Sequence, residues 1–148
     1  MIKIEKIDRE NIYFNRLIDY AKNCSWVAGS HFAALLENNA FTDWECAFAA
    51  IDDDHIVGFC TFMKTDYYPD NKYSPWISTV FVDEKYRGKR ISQQMVEAVI
   101  DYAKSCRFSN VYIPSDMMGF YEKYGFEKID TLENYGGEID NVYVKNIL

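Results

Sequence analysis

Hydrophobic and polar positions alternate with two different periods in the N-terminal part of the chain. Isoleucine alternates with charged residues over Ile2–Ile7, which predicts a short strand. Asp8, a residue type that caps helices, is followed by hydrophobic residues at helical spacing. These residues are Tyr13, Leu17, Tyr20, Ala21 and Cys24. A first helix is therefore predicted behind Asp8, and a second one over Ser30–Glu37.

Two runs of aromatic and β-branched residues follow, Trp44–Ile51 and Ile56–Lys64. The intervening Asp52-Asp53-Asp54-His55 has the composition of a turn, so the two runs predict an antiparallel hairpin. The same acidic cluster has the residue types of a metal site. Carboxylates at consecutive turn positions diverge, however, so a solvated turn is the favoured interpretation and no metal is expected.

The pattern then changes to strands that alternate with helices. Asp66–Pro75 is a loop rich in tyrosine, and the apolar stretch Trp76–Val82 predicts a strand. Ile91–Cys106 carries hydrophobic residues at helical spacing, which predicts an amphipathic helix of about four turns.

The C-terminal part predicts three more strands and a short helix. Val111–Ile113 is the first strand, and the helix runs through Met117–Tyr124 with Gly125 as its stop. The last two strands, Phe126–Leu132 and Ile139–Leu148, flank a glycine-rich turn. An early hairpin followed by strand, helix, strand and helix implies a mixed sheet flanked by helices.

Composition limits the class of protein. The 148 residues, 49% of them hydrophobic, suit one compact domain over residues 1–148. The apolar runs are too short for a membrane-spanning helix or a secretory leader, so we expect a cytosolic (cytoplasmic) protein. The four cysteines lack the paired spacing of zinc or redox sites, which favours free thiols. A formal net charge of -7 disfavours nucleic acid and anionic membranes as partners and suits a cationic substrate.

One basic segment contrasts with this acidic background. Lys85, Arg87, Lys89 and Arg90 lie within six positions, between a predicted strand and the helix that follows it. A turn from a strand into a helix N-terminus exposes unpaired N–H groups at the positive end of the helix dipole, which favours a phosphate. A solvated basic loop is the alternative, and the position before a helix favours the phosphate site.

Two segments resemble motifs of the GNAT family of N-acetyltransferases. Phe81–Ser92 resembles its acyl-CoA-binding motif, Gln/Arg-x-x-Gly-x-Gly/Ala. Arg87, Arg90 and Ser92 fall on the three marked positions, and only Arg87 matches outright. Gly119–Phe126 closely resembles the family's aromatic-Tyr-Glu-Lys-x-Gly-Phe segment. The two motifs occur in the family's order, and the predicted layout agrees with the family over essentially the whole chain.

The resemblance implies a fold and a cosubstrate. The fold would be α/β (α+β), with a mixed, mostly antiparallel twisted sheet of about six to seven strands and about four flanking helices. The cosubstrate would be acetyl-CoA, without a metal. The basic turn would hold its pyrophosphate, and main-chain amides at the strand end would hold its thioester carbonyl and pantetheine arm. The residues implied in cosubstrate binding are Phe81, Val82, Arg87, Gly88, Lys89, Arg90, Ile91 and Ser92.

The resemblance also implies a catalytic tyrosine. Tyr121 matches the family's general acid, which gives a hydrogen bond or proton to the departing thiolate. Tyr124, three positions on and near the same helix face, is the other candidate. Many members have an asparagine where this chain has Pro114, and Ser115 is the candidate to replace its hydrogen bond to the coenzyme.

Acetyl transfer also needs a base that takes a proton from the amine. The predicted strand Trp76–Val82 carries no carboxylate, whereas some family members have a glutamate there. Water chains, Asp66 or a backbone carbonyl remain candidates, and His31 and His55 are interpreted as structural. The pattern places no cysteine where a base would activate its thiol, so direct attack by the amine in a ternary complex is preferred.

Acceptor recognition is expected from the early helices and the loop Asp66–Pro75. An aromatic and acidic wall there would attract a cationic amine, carried by a small molecule or a peptide, but the same aromatic residues could equally close one side of the core. The residues concerned are Trp26, Asp66, Tyr67, Tyr68 and Tyr73. The oligomeric state, including a homodimer, is left open. The alternative functions are a non-catalytic CoA-binding regulatory module and, less favoured because its phosphate-loop motifs are absent, a nucleotide binder.

Overall fold

Seven strands form one mixed sheet in the computed structural model, which describes residues 1–116 and 118–148. The strands are β1 (Ile2–Ile7), β2 (Cys46–Asp52), β3 (His55–Met63), β4 (Trp76–Val82), β5 (Asn110–Ser115), β6 (Glu127–Glu133) and β7 (Ile139–Asn146). Their order in the sheet is β1-β2-β3-β4-β5-β7-β6. The described residues also form three α-helices: α1 (Phe14–Asn23), α2 (Ala28–Glu37) and α3 (Ile91–Ser105). The fold class predicted from the sequence is confirmed.

The first of two compact units comprises Met1–Thr61 and Thr79–Ala98. Within it, β1 pairs antiparallel with β2 from Ile2↔Asp52 to Ile7↔Ala47. Both helices α1 and α2 contribute side chains to one core with β2 and β3, and Phe32 stacks on Phe59 at 4.5 Å between ring centroids. Burial of this apolar surface, at roughly 25 cal/mol per Å², is the main force that holds the helices in place.

The second unit comprises Phe62–Ser78 and Val99–Leu148. β4 and β5 are parallel at Trp76↔Tyr112, whereas β7 pairs antiparallel with both β5 and β6. Tyr68, Trp76, Leu132 and Val142 form a buried hydrophobic cluster in this unit, against which Tyr73 and Tyr112 pack. The expectation of a single domain stays a prediction.

The start of α1 differs from the prediction. The helix begins at Phe14 and not directly behind Asp8. The side chain of Asp8 accepts a hydrogen bond from the N–H of Glu10 at 3.0 Å, and that of Asn11 accepts one from Tyr13 at 2.8 Å. These side chains therefore close turns before the helix, an alternative that Asp and Asn offer to the backbone.

The short helix predicted over Met117–Tyr124 is wrong in length. Only Tyr121–Tyr124 is helical, as a 3-10 helix, and Met117 lies outside the described residues. Gly119, with a φ of 82°, precedes the helical residues in a left-handed conformation that an α-helix does not contain. Gly125, with a φ of 90°, ends the turn as predicted.

The described helices are too short or too polar to cross a bilayer.

Candidate active site

Strand β4 contains a strained residue shortly before its end. Thr79 has a φ of 54°, a left-handed conformation that is an outlier for a β-branched residue. The hydroxyl of Thr61 donates to that of Thr79 at 3.4 Å. Such strain persists where the surrounding structure enforces it, and it concentrates at ligand-binding sites. Phe81 and Val82, whose amides are predicted to hold the thioester, follow shortly after Thr79 in the same strand.

The end of β4 has a buried side chain and a tethered main chain. Phe81 is 6% exposed, and its ring stacks on Phe59 at 5.2 Å and on Trp26 at 6.2 Å. The N–H of Asp83 donates to the carbonyl of Val57 at 2.8 Å, which ties the strand end to β3. The Phe81 side chain thus serves the core, and its main chain is the part suited to a ligand.

Arg87 closes the turn behind β4. Its Nε donates to the carbonyl of Val82 at 3.0 Å, and its guanidinium carbon lies 5.7 Å from the centroid of the Phe81 ring. Asp83 caps the 3-10 helix Glu84–Tyr86 by accepting from the N–H of Lys85 at 3.1 Å. The two terminal nitrogens of the Arg87 guanidinium have no hydrogen-bond partner among the described residues and remain as donors for an anion.

Two residues of the turn have left-handed backbone conformations. Gly88 has a φ of 81°, and a Cβ placed on it would meet no atom within 4 Å, so the space in front of it is open. Arg90 has a φ of 61° at the position where the family motif has glycine. The backbone therefore adopts the conformation that glycine normally supplies, at a cost of roughly 1 to 2 kcal/mol for the arginine.

The electrostatics of the turn favour an anion. Lys85, Arg87, Lys89 and Arg90 are exposed, and none is in ion-pair contact with a carboxylate in the described part of the chain. The turn leads into the 15-residue helix α3, whose first N–H groups lack intrahelical partners. Unpaired cations, open space at Gly88 and a helix N-terminus together fit a pyrophosphate such as that of acetyl-CoA.

Tyr121 is the most enclosed residue of its 3-10 helix. Its side chain is 6% exposed, and the ring packs against Phe126 at 5.8 Å and Tyr143 at 6.2 Å. The N–H of Phe126 donates to the Tyr121 carbonyl at 3.2 Å. Tyr124 is less buried, and its carbonyl accepts from Nζ of Lys145 at 2.8 Å. Tyr121 belongs to the second unit, whereas the basic turn belongs to the first.

The five residues of the predicted aromatic and acidic wall have different environments. Tyr68 is 2% exposed and packs on Trp76, and Tyr73 donates from its hydroxyl to Asp130 at 2.7 Å. Both therefore close the core of the second unit. Tyr67 is 59% exposed and contacts Tyr135 at 5.4 Å. Trp26 belongs to the first unit, where it stacks on Phe81.

Asp66 is half-buried, and one of its two carboxylate oxygens is fully buried. Its Oδ1 accepts from the N–H of Tyr67 at 2.8 Å, and its Oδ2 is buried without a hydrogen-bond partner among the described residues. Loss of solvation raises the pKa of Asp66 to about 6. A carboxyl group with this pKa is mostly ionised at neutral pH and can accept a proton. Asp66 therefore stays a candidate for the base.

A cleft of about 570 Å³ that sequence reasoning missed lies in the first unit. It is bounded by α1, the turn between β2 and β3, the end of β4 and the first residues of the basic turn. Among the residues that line it, the hydroxyl of Tyr20 donates to Asp83 at 3.1 Å, and burial raises the pKa of Tyr20. The cleft has no signal in the sequence because its walls come from distant segments.

The chain is similar in sequence to acetyltransferases. The model of the acetyltransferase (GNAT) family matches residues 13–126. Among curated proteins, the spermine/spermidine N(1)-acetyltransferase of Bacillus subtilis (strain 168) is 27% identical over 93 residues. The match spans 57% of this chain and 57% of that protein, so the chain covers little more than half of the relative's length.

Solved structures share the fold over nearly the full chain. The aminoglycoside 6'-acetyltransferase type Ii has a TM-score of 0.74 at 23% identity, covering 99% of this chain and 97% of its own. An aminoglycoside 6'-N-acetyltransferase complexed with coenzyme A has a TM-score of 0.72 at 19% identity, with the same coverage of 99% and 97%. At these identities the likeness is one of fold.

Proposed function

Since the chain belongs to the acetyltransferase (GNAT) family, we propose that it transfers an acetyl group from acetyl-CoA to a primary amine of a small cationic acceptor. The observation that supports this most is the turn in front of α3, where unpaired cations and an open glycine meet a helix N-terminus. The names of the relatives point the same way for the acceptor, because spermine, spermidine and aminoglycosides are all polycationic amines.

The cosubstrate would be held by main-chain and cationic groups. The N–H groups of the turn from Gly88 to Ser92, with the free nitrogens of Arg87, would bind the pyrophosphate. Amides near Phe81 and Val82 would donate to the thioester carbonyl, where negative charge develops as the amine attacks. Acetyl-CoA supplies the activated acyl group, and the protein supplies position and charge stabilisation.

The reaction needs two proton movements. The neutral amine attacks the carbonyl carbon, the C–S bond breaks, and the new amide nitrogen loses a proton to a base or to solvent. Tyr121 would give a hydrogen bond or proton to the departing thiolate, whose ordinary pKa of about 8.5 lies below the value of about 10 for tyrosine. Direct attack in a ternary complex needs no covalent enzyme intermediate.

A thiol-release assay tests this function. Acetyl-CoA is offered with spermidine, an aminoglycoside and a lysine peptide, and unfolding temperatures are measured with acetyl-CoA, CoA and ATP. We expect stabilisation by acetyl-CoA and thiol release with at least one acceptor. Stabilisation by acetyl-CoA without thiol release would favour the alternative function, a non-catalytic CoA-binding module. Stabilisation by ATP alone would point to a nucleotide binder.

The Tyr121→Phe variant tests the proposed acid. Removal of one hydroxyl should lower kcat roughly a hundredfold while the protein keeps its stabilisation by acetyl-CoA. Tyr124→Phe is the matched control in the same 3-10 helix and should keep kcat within about twofold of the parent protein. Equal losses in the two variants, or a loss only in the second, would refute the assignment.

A further inference from the structure

The cleft in the first unit has the size and the lining of a ligand site. Its volume of about 570 Å³ lies within the range of small-molecule sites, which is roughly 300 to 1,000 Å³. Tyr20, Ile56 and Phe81 line it, and the rings of Tyr20 and Phe81 are 6.3 Å apart. The half-buried side chains of Tyr20 and Ile56 can accommodate methylene groups, and the Tyr20 ring attracts ammonium groups.

The charges around the cleft select for a cation. Arg16 is already neutralised, because its Nη2 lies 3.3 Å from Oδ1 of Asp54. The remaining charged residues of the lining are Asp19, Asp83, Glu84 and Lys85. Three carboxylates thus face one lysine. Asp19 and Glu84 are exposed and form no ion pair with a lysine or arginine of the described residues.

The acidic cleft adjoins the place where the thioester would be held. Phe81 is among the residues that line the cleft, and the proposed donors to the thioester carbonyl are the amides at Phe81 and Val82. The basic residues Arg87, Lys89 and Arg90 follow directly in the chain and are not among the residues that line the cleft. The surroundings of this strand end therefore suit two substrates of opposite charge, an anionic thioester and a cationic amine.

We propose that this cleft binds the distal ammonium group of an acceptor with two or more amines, so that Asp19 and Glu84 select polyamine-type acceptors over monoamines. The proposal rests on the proposed acetyltransferase function. The methylene chain would lie along Tyr20 and Ile56, with its reacting amine at the strand end. Asp83 is tied to Tyr20 and to the N–H of Lys85, so it shapes the cleft and adds negative charge.

Two probes of equal length isolate the second ammonium group. In 8-amino-1-octanol a hydroxyl replaces one amine of 1,8-diaminooctane, and both compounds carry a primary amine that can accept an acetyl group. We expect kcat/KM for the diamine to exceed that for the amino alcohol about tenfold at low salt, and this preference should fall as salt is added. Equal kcat/KM values for the two probes would overturn the proposal while leaving the acetyltransferase function intact.

A charge-matched pair of variants tests the residues. Asp19→Asn/Glu84→Gln should raise KM for the diamine roughly three- to tenfold, with kcat and the KM for acetyl-CoA unchanged. The amino alcohol should be unaffected. Asp101→Asn/Glu133→Gln, at exposed positions outside the cleft, changes net charge equally and should alter neither probe. A similar rise in KM for the diamine in both double variants would refute a local role of the cleft.

A binding experiment separates failure of this proposal from failure of the function. If no acceptor supports thiol release, the diamine is titrated calorimetrically into the protein in the presence of CoA. Binding that weakens in Asp19→Asn/Glu84→Gln but not in the control variant supports the cleft as a cation site even though the acetyltransferase proposal has failed. Undetectable binding, or equal binding in all three proteins, overturns the cleft proposal.

Discussion

Replacement of Asp66 by asparagine removes a carboxyl group that the fold holds out of water. The pKa of Asp66 is about 6 in the folded chain, against an ordinary value of 3.8, because burial disfavours the charged form. Its Oδ2 has no hydrogen-bond partner among the described residues to offset this loss of solvation. Ionisation of Asp66 therefore destabilises the folded protein.

The size and sign of the effect follow from the two pKa values. An acid whose pKa is raised by folding adds stability below its unfolded pKa and loses it as pH rises through the folded pKa. At 1.36 kcal/mol per pKa unit, the difference between the two pKa values corresponds to roughly 3 kcal/mol of unfolding free energy. About 2 kcal/mol of this free energy should be lost between pH 4.5 and pH 7.5. The Asp66→Asn protein lacks this contribution.

Urea unfolding across this pH range measures the effect. The quantity to compare is the free energy of unfolding of Asp66→Asn minus that of the parent protein, which should rise by about 2 kcal/mol from pH 4.5 to pH 7.5. A constant cost of the buried amide cancels in this comparison. For a chain of this size, the same change in free energy corresponds to a shift of roughly 4 to 8 °C in the unfolding temperature.

Asp70→Asn is the matched control for this experiment. Asp70 lies in the same loop, but its side chain is 64% exposed. Its replacement removes the same charge and therefore measures what the loss of one exposed carboxylate does to the pH dependence. A pH dependence of Asp66→Asn that matches that of Asp70→Asn would refute the reasoning, since burial would then have no distinct effect on the pKa of Asp66.

Three further substitutions have expected outcomes. Arg87→Ala should raise the KM for acetyl-CoA about tenfold, because it removes a cation and the hydrogen bond to the Val82 carbonyl. This rise in KM should be smaller at high salt, and Arg9→Ala, with the same change in charge, should not alter KM. Arg90→Gly should raise the free energy of unfolding by about 1 kcal/mol, because it relieves a left-handed arginine, and an unchanged or lower value would contradict the strain. Gly125→Ala should lower the free energy of unfolding by about 1 kcal/mol or more, since it strains the end of the 3-10 helix. Urea unfolding measures the effects of Arg90→Gly and Gly125→Ala.

Local patterns predicted most of the fold. The strand Trp76–Val82 has the predicted bounds, and the helix behind the basic segment is α3, because alternation and helical spacing are properties of neighbouring residues. The helix predicted over Met117–Tyr124 failed because Gly119 has a left-handed backbone conformation that the pattern of hydrophobic residues does not reveal. The family resemblance read from the two motifs is confirmed by the family match.

The candidate site was predictable only in part. The basic turn and Tyr121 follow from short motifs, and their roles stay predictions. The aromatic residues of the loop Asp66–Pro75 divided between core and surface according to contacts with Trp76 and Asp130, which the loop sequence does not specify. A tyrosine suits the core and the surface equally well, so the residue type alone did not distinguish the two environments.

The amino-acid sequence by itself determined the elements, the basic turn before α3 and the family, since each depends on residues close together in the chain. Tertiary structure alone decided the left-handed conformation of Thr79, the burial of Asp66 and the cleft beside Phe81. These features arise where distant segments pack together, and desolvation, strain and cavity shape depend on that packing and not on local residue preference.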